Sequence, residues 1–128
     1  MRHLSLAIVG IDYPNKRGPA RRFELALCVP GEPIEFSPEP TNKHDPYAVA
    51  VYSCRGVQLG YLTVERAPWV GAQIRQGREI RAIFQGMTDK VGWLRLAFDG
   101  EVPTLPPAPK VAAEVDDSGF WPDDVYPD

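Results

Sequence analysis

Residues 39–62 read EPTNKHDPYAVAVYSCRGVQLGYL, and this stretch decides the fold. It opens with a knot of polar turn formers, Thr41, Asn42, Lys43, His44, Asp45 and Pro46. Asn and Asp side chains can hydrogen-bond the backbone two residues on, so the cluster predicts a self-braced loop rather than a slack one. Residues 47–52, YAVAVY, then alternate as a half-buried strand does. Arg55-Gly56 predicts a turn, and a second short strand ends at Gly60-Tyr61-Leu62. A rigid polar loop between strands, carrying an amide, an imidazole, a carboxylate and nearby tyrosines, suits recognition. The same residues also suit a plain, well-capped start to a hairpin.

On either side the chain punctuates itself into short elements. Leu4, Leu6 and Ile8 alternate with smaller residues and predict a first strand. Residues 12–19, with Pro14, Asn15, Gly18 and Pro19 around Lys16-Arg17, predict a loop. Phe23, Leu25, Leu27 and Val29 alternate with Glu24, Ala26 and Cys28, which predicts a second strand closed by Pro30-Gly31. Ile34 and Phe36 suggest a brief third, bounded by Pro33 and Pro38. After the central stretch, Ala67, Val70 and Ile74 fall on one helical face. Thr63 is the expected cap, Pro68 is tolerable in the first turn, and Gly77 is the stop. Ile80, Ala82 and Phe84, then residues 93–98, complete the strands. Short strands with one clear helix predict a mainly β, OB-like barrel with one or two short helices.

Composition narrows the class. A chain of 128 residues with 44% hydrophobic and 24% charged residues can bury a core without staples. No apolar run reaches the roughly 18–20 residues of a membrane helix. The N-terminal apolar stretch is brief and lacks a small-x-small cleavage pattern, so it reads as a strand and the expected location is cytoplasmic. Cys28 and Cys54 sit in strand-like sequence without CxxC spacing, which favours small buried hydrophobes. Neither they nor His3 and His44 have structural-zinc spacing, so no metal or other cofactor is expected.

Charge divides the chain in two. Residues 1–100 hold 13 bases and 10 acids, a balance of +3, whereas residues 101–128 hold one base and seven acids. The boundary at 100/101 is therefore the expected end of the barrel domain. Beyond it Pro103, Pro106, Pro107 and Pro109 predict an extended linker. The acids that follow are interleaved with Phe120, Trp121 and Tyr126, too little apolar surface to fold alone. Such a tail is a solubilising or self-packing segment, a docking peptide for a DNA-processing protein, or an internal mimic of nucleic acid.

The central stretch resembles the core of the HIRAN domain, in which Asn-(x)2-Asp-x-x-Ala-(I/V)-x-V precedes a Gly-(H/Y)-Leu turn. Here those positions are Asn42, Asp45, Ala48, Val49 and Val51, then Gly60-Tyr61-Leu62. The likeness runs from about Leu4 to Phe98, beginning with Ile8-Val9-Gly10-Ile11 and the Tyr13 just after it. It implies a modified OB-like barrel that grips the 3′ end of single-stranded DNA, as a module in DNA repair or processing. Asn42 and Asp45 match the family's end-recognition loop. Several family positions differ: Asp12 replaces a base, Pro14 an aromatic, Thr41 an Asn, His44 a Tyr and Val64 a Lys. Loss of the bases at positions 12 and 64 removes phosphate contacts and Asp12 adds repulsion, so DNA binding is expected to be weak, altered or lost.

Binding a strand end requires aromatic faces for bases, donors for phosphate and a polar pocket for the terminal hydroxyl. The candidates are Tyr13, Asn42, Lys43, His44, Asp45, Tyr47 and Tyr61, with Arg17, Arg21 and Arg22 as further phosphate partners. Each tyrosine equally suits a barrel edge, and most surface bases are simply solvated. If the reading holds, Leu62 is buried, and Tyr61 projects toward the 42–45 loop with Tyr13 on the same side. Catalysis is not expected. Adjacent His44 and Asp45 do not make a triad, and no P-loop, HExxH or GxSxG occurs. Asp12, Glu39 and Asp45 would converge as metal-binding carboxylates only by accident of the fold. The alternative is a protein adaptor acting through the tail or a sheet edge, with DNA binding lost.

Overall fold

In the computed structural model, which describes residues 3–88 and 90–106, six antiparallel strands close into a barrel. The elements run β1 (Leu4–Val9), α1 (Arg21–Leu27), β2 (Pro33–Pro38), β3 (Val49–Ser53), β4 (Gln58–Leu62), α2 (Ala67–Arg75), β5 (Ile80–Met87) and β6 (Gly92–Phe98). Around the barrel the order is β1-β4-β3-β2-β5-β6, with β1 pairing both β4 and β6 to close it. The ladder is interrupted between Val51 and Tyr52 and between Phe84 and Gly86. Such irregularities increase local twist, which a six-stranded closure needs.

Alternation supplies the core. Leu4, Leu6 and Ile8 of β1 meet Leu94 and Leu96 of β6, with Val49, Val51 and Leu59 facing them from β3 and β4. Each fully buried side chain of this size contributes about 1.5–3 kcal/mol, against about 0–1 kcal/mol for an exposed ion pair. The core therefore holds the barrel, and the surface charges are left to other tasks. α2 packs against β3, and its Trp69 meets Phe98 edge-on at 5.4 Å. No helix among the described residues is long and apolar enough to cross a membrane.

The expected second strand at 23–29 is instead α1. The residues it buries are Arg21, Glu24 and Leu25, followed by Cys28 at its end, the i, i+3, i+4, i+7 spacing of a helix face. Phe23, Leu27 and Val29, which made the alternation, are 60%, 49% and 57% exposed. The buried face is polar because it has partners. Glu24 Oε2 accepts from Ser53 Oγ at 2.7 Å and from Arg55 Nε at 2.6 Å. Leu25 completes the packing against Ile8 and Gly92 in the core.

Smaller corrections concern the caps and thiols. α2 begins at Ala67 with Pro68 in its first turn and no side-chain cap. Thr63 acts through its carbonyl, which accepts from the Arg66 and Ala67 amides, and not through its hydroxyl. Neither cysteine lies inside a strand: Cys28 is buried just after α1, and Cys54 is exposed just after β3. Burial pushes the Cys28 thiol up to about 11. The tail residues Phe120, Trp121 and Tyr126 lie outside the described residues.

Candidate nucleic-acid interface

The loop between β2 and β3 braces itself. Asn42 Oδ1 accepts from the His44 amide at 2.8 Å and the Asp45 amide at 3.0 Å, and Asp45 Oδ1 accepts from the Tyr47 amide at 2.8 Å. The Glu39 amide closes the base on the Ala48 carbonyl at 2.9 Å. These are the local side-chain turns that the Asn and Asp spacing predicts. The loop is then tied to β4 through Glu39, whose Oε1 accepts from Asn42 Nδ2 and from the Tyr61 hydroxyl, both at 2.9 Å.

Gly60 sets the position of Tyr61. β4 passes β1 so closely that a Cβ at residue 60 would lie 2.3 Å from the Val9 carbonyl oxygen. Leu59 and Leu62 both enter the core, so strict alternation breaks at this glycine and leaves Tyr61 half-buried between them. Burial holds the Tyr61 phenol above its usual pKa, with the Glu39 hydrogen bond acting in the same direction and Gln58 opposing. A guanidinium completes the frame: Arg21, only 7% exposed, lies 5.6 Å from the centroid of the Tyr61 ring. Its Nη1 donates to the Gly10 carbonyl at 2.9 Å and its Nε to Asn15 Oδ1 at 2.8 Å.

Two cavities open on either side of this frame. One, of about 690 Å³, is bounded by Tyr13, Asn42, His44, Asp45, Tyr61 and Val64. The other, of about 870 Å³, takes in the loop before α1 and the β3–β4 turn. Arg21, Asn42, His44 and Tyr61 line both. Leu62 is buried, and Tyr61 faces the 42–45 loop with Tyr13 on the same cavity.

The structure thus brings together Tyr13, Asn42, His44, Asp45 and Tyr61, and places Lys43 on the larger cavity. It does not bring in Tyr47, which is 57% exposed and lines neither. Two of the expected phosphate partners are engaged elsewhere. Arg21 is the internal brace just described, and Arg22 pairs with Asp12, whose carboxyl is held below its usual range by that guanidinium. The Asp12 charge is therefore offset by Arg22. Sequence reasoning missed two organising residues, Glu39 and Asn15. Glu39 binds across 22 positions to Tyr61, and Asn15 across 43 to the Gln58 carbonyl, so no local pattern marks either.

The chain is thus a closed six-stranded, OB-like barrel with a braced polar loop beside a cleft lined by tyrosines. The chain belongs to the HIRAN domain family, whose model matches residues 1–102. HIRAN domains are known as nucleic-acid-binding modules. Among solved structures the chain is similar to the HIRAN domain of human HLTF, at 19% identity over 75% of this chain and 74% of that one, with a TM-score of 0.59. It is also similar to a protein from Lactobacillus plantarum, at 19% identity over 73% of this chain and 91% of that one, with a TM-score of 0.57. No curated protein matches the chain.

Proposed function

We propose that this protein is a non-catalytic module that binds the 3′ end of single-stranded DNA during DNA repair or processing. The observation that carries the reading is the 690 Å³ cavity, in which Asp45 and two tyrosines, Tyr13 and Tyr61, meet beside a loop locked by Asn42. That volume lies within the roughly 300–1,000 Å³ of small-ligand sites. Asp45 Oδ1 is held by the Tyr47 amide, which orients the carboxylate to accept from a terminal hydroxyl. Tyr13, 70% exposed, offers a face for stacking. Val64 lends the cavity an apolar wall where a base would rest. On this reading Asp45 accepts from the ligand and Glu39, held by Asn42 and Tyr61, braces the site, so neither carboxylate is assigned a catalytic role.

The test is a titration of labelled oligonucleotides with 3′-hydroxyl and 3′-phosphate ends. The hydroxyl end should bind more tightly, and Asp45→Ala should remove the difference. Equal affinity for the two ends in the unsubstituted protein refutes end recognition even where some binding persists.

A second reading, a protein adaptor, gains support from one observation. Phe23, Leu27 and Val29 are large apolar side chains left exposed on α1 and the segment just after it. Closure of the barrel gives each strand two neighbours, so the adaptor reading moves from a sheet edge to this face or the tail. Salt separates the two: phosphate binding falls steeply with added salt, whereas apolar docking does not.

A further inference from the structure

The larger cavity has a composition of its own. Lys16, Arg17 and Lys43 line it, all exposed, and none forms an ion pair among the described residues. Arg22, Arg55, Arg78 and Arg81, elsewhere on the surface, each pair with a carboxylate. The only carboxylate lining the cavity, among the described residues, is Glu39, whose Oε1 already accepts from Tyr61 and Asn42. The cavity is thus a net-positive groove.

It is also built rather than incidental. The loop carrying Lys16 and Arg17 is pinned by Asn15, whose Nδ2 donates to the Pro19 carbonyl at 3.1 Å and the Gln58 carbonyl at 3.0 Å. Asn15 is oriented in turn by the buried Arg21. Half-buried Tyr52 adds an aromatic surface to the same cavity. The groove is continuous with the end pocket through Arg21, Asn42, His44 and Tyr61.

We propose that this groove carries the sugar-phosphate backbone of the nucleotides preceding the terminal one. The ligand is then a single strand several nucleotides long, held by its end in one cavity and by its phosphates in the other. This rests on the end-binding reading above. Unpaired bases along a groove with an interposed aromatic are the general means of holding single strands, and barrels of this type cover about 4–16 nucleotides.

The experiment compares oligothymidylates of two and six residues, each with a 3′-hydroxyl or a 3′-phosphate end, against the full chain and the Lys16→Ala/Arg17→Ala variant. In the unsubstituted protein the hexanucleotide should bind about tenfold more tightly than the dinucleotide at low salt. The double variant should lose that gain while keeping its preference for a 3′-hydroxyl end and its melting temperature. Its slope of log affinity against log salt should become shallower by about 1.4, at ~0.7 for each phosphate of a single strand that is no longer neutralised. A hexanucleotide that binds no better than the dinucleotide, or a gain that survives in the variant, overturns the proposal and leaves end recognition intact. Binding of neither length overturns both.

Discussion

Tyr61 donates its hydroxyl to Glu39 Oε1 at 2.9 Å, and the same oxygen accepts the Asn42 side-chain amide. One carboxylate oxygen thereby joins β4 to the 42–45 loop through two residues that line both cavities. Glu39 is half-buried, so water can reach a freed partner only in part. Glu39→Ala should lower stability by about 1 kcal/mol, the ordinary net worth of such a bond, and Tyr61→Phe by a similar amount. Urea unfolding of the two variants and their double mutant measures the coupling. Strict additivity would show that the bond contributes nothing in solution.

The Tyr61 phenol should ionise later than an ordinary tyrosine. Burial raises its pKa first, and the Glu39 carboxylate raises it further. The unfolded phenol ionises near pH ~10 and the folded one above it. Stability from this group is therefore fully present below pH ~10 and is lost as pH rises through the higher folded value. The measurement is the ultraviolet phenolate absorbance of the folded protein minus that of Tyr61→Phe. A difference titration centred at or below pH ~10 contradicts the buried placement.

Gly60 offers a sharper test of the closure. A methyl group there would sit 2.3 Å from the Val9 carbonyl oxygen and 3.0 Å from Ile8 Cγ2. Backbone cannot yield as a flexible side chain does, so Gly60→Ala should cost at the upper end of the roughly 1–3 kcal/mol typical of overpacking. Because Tyr61 follows directly, the same substitution should weaken oligonucleotide binding more than its loss of stability accounts for. A variant as stable as the parent would mean that β1 and β4 do not approach so closely.

What the sequence disclosed, and what it hid, follows from the range of each interaction. The 42–45 loop was legible because Asn42 and Asp45 bond amides two and three residues away. The barrel was legible because β1 alternates in burial along its whole length, and Ile80, Ala82 and Phe84 at the start of β5 share the core side. α1 was hidden because its buried face is Arg21 and Glu24, whose burial makes sense only with Asn15, Gly10, Ser53 and Arg55 in place. The apolar alternation of Phe23, Leu27 and Val29 pointed the wrong way because those side chains face solvent. For the same reason composition treats the arginines alike, although Arg21 is a brace, Arg22 half of an ion pair, and Arg17 left on the groove.

The acidic tail bears on the groove through its charge. From sequence, truncation after Gly100 is expected to tighten DNA binding, but the cut is better placed after Pro106. Glu101 Oε1 lies 2.9 Å from His3 Nε2 and Pro103 is buried, and a cut after Pro106 leaves both in place. The segment removed, 107–128, carries six acids and one lysine, with Phe120, Trp121 and Tyr126 among them. Carboxylates can imitate phosphates and aromatic rings can imitate bases, and the groove presents Lys16, Arg17 and Lys43 to either. Tethering keeps such a segment at roughly millimolar local concentration, enough to compete with a dilute oligonucleotide. Truncation after Pro106 should therefore tighten oligonucleotide binding, most at low salt, and the gain should shrink when Lys16 and Arg17 are replaced by alanine. Fluorescence anisotropy at two salt concentrations measures it. Unchanged affinity on truncation would dispose of competition by the tail and leave the partner-docking reading standing.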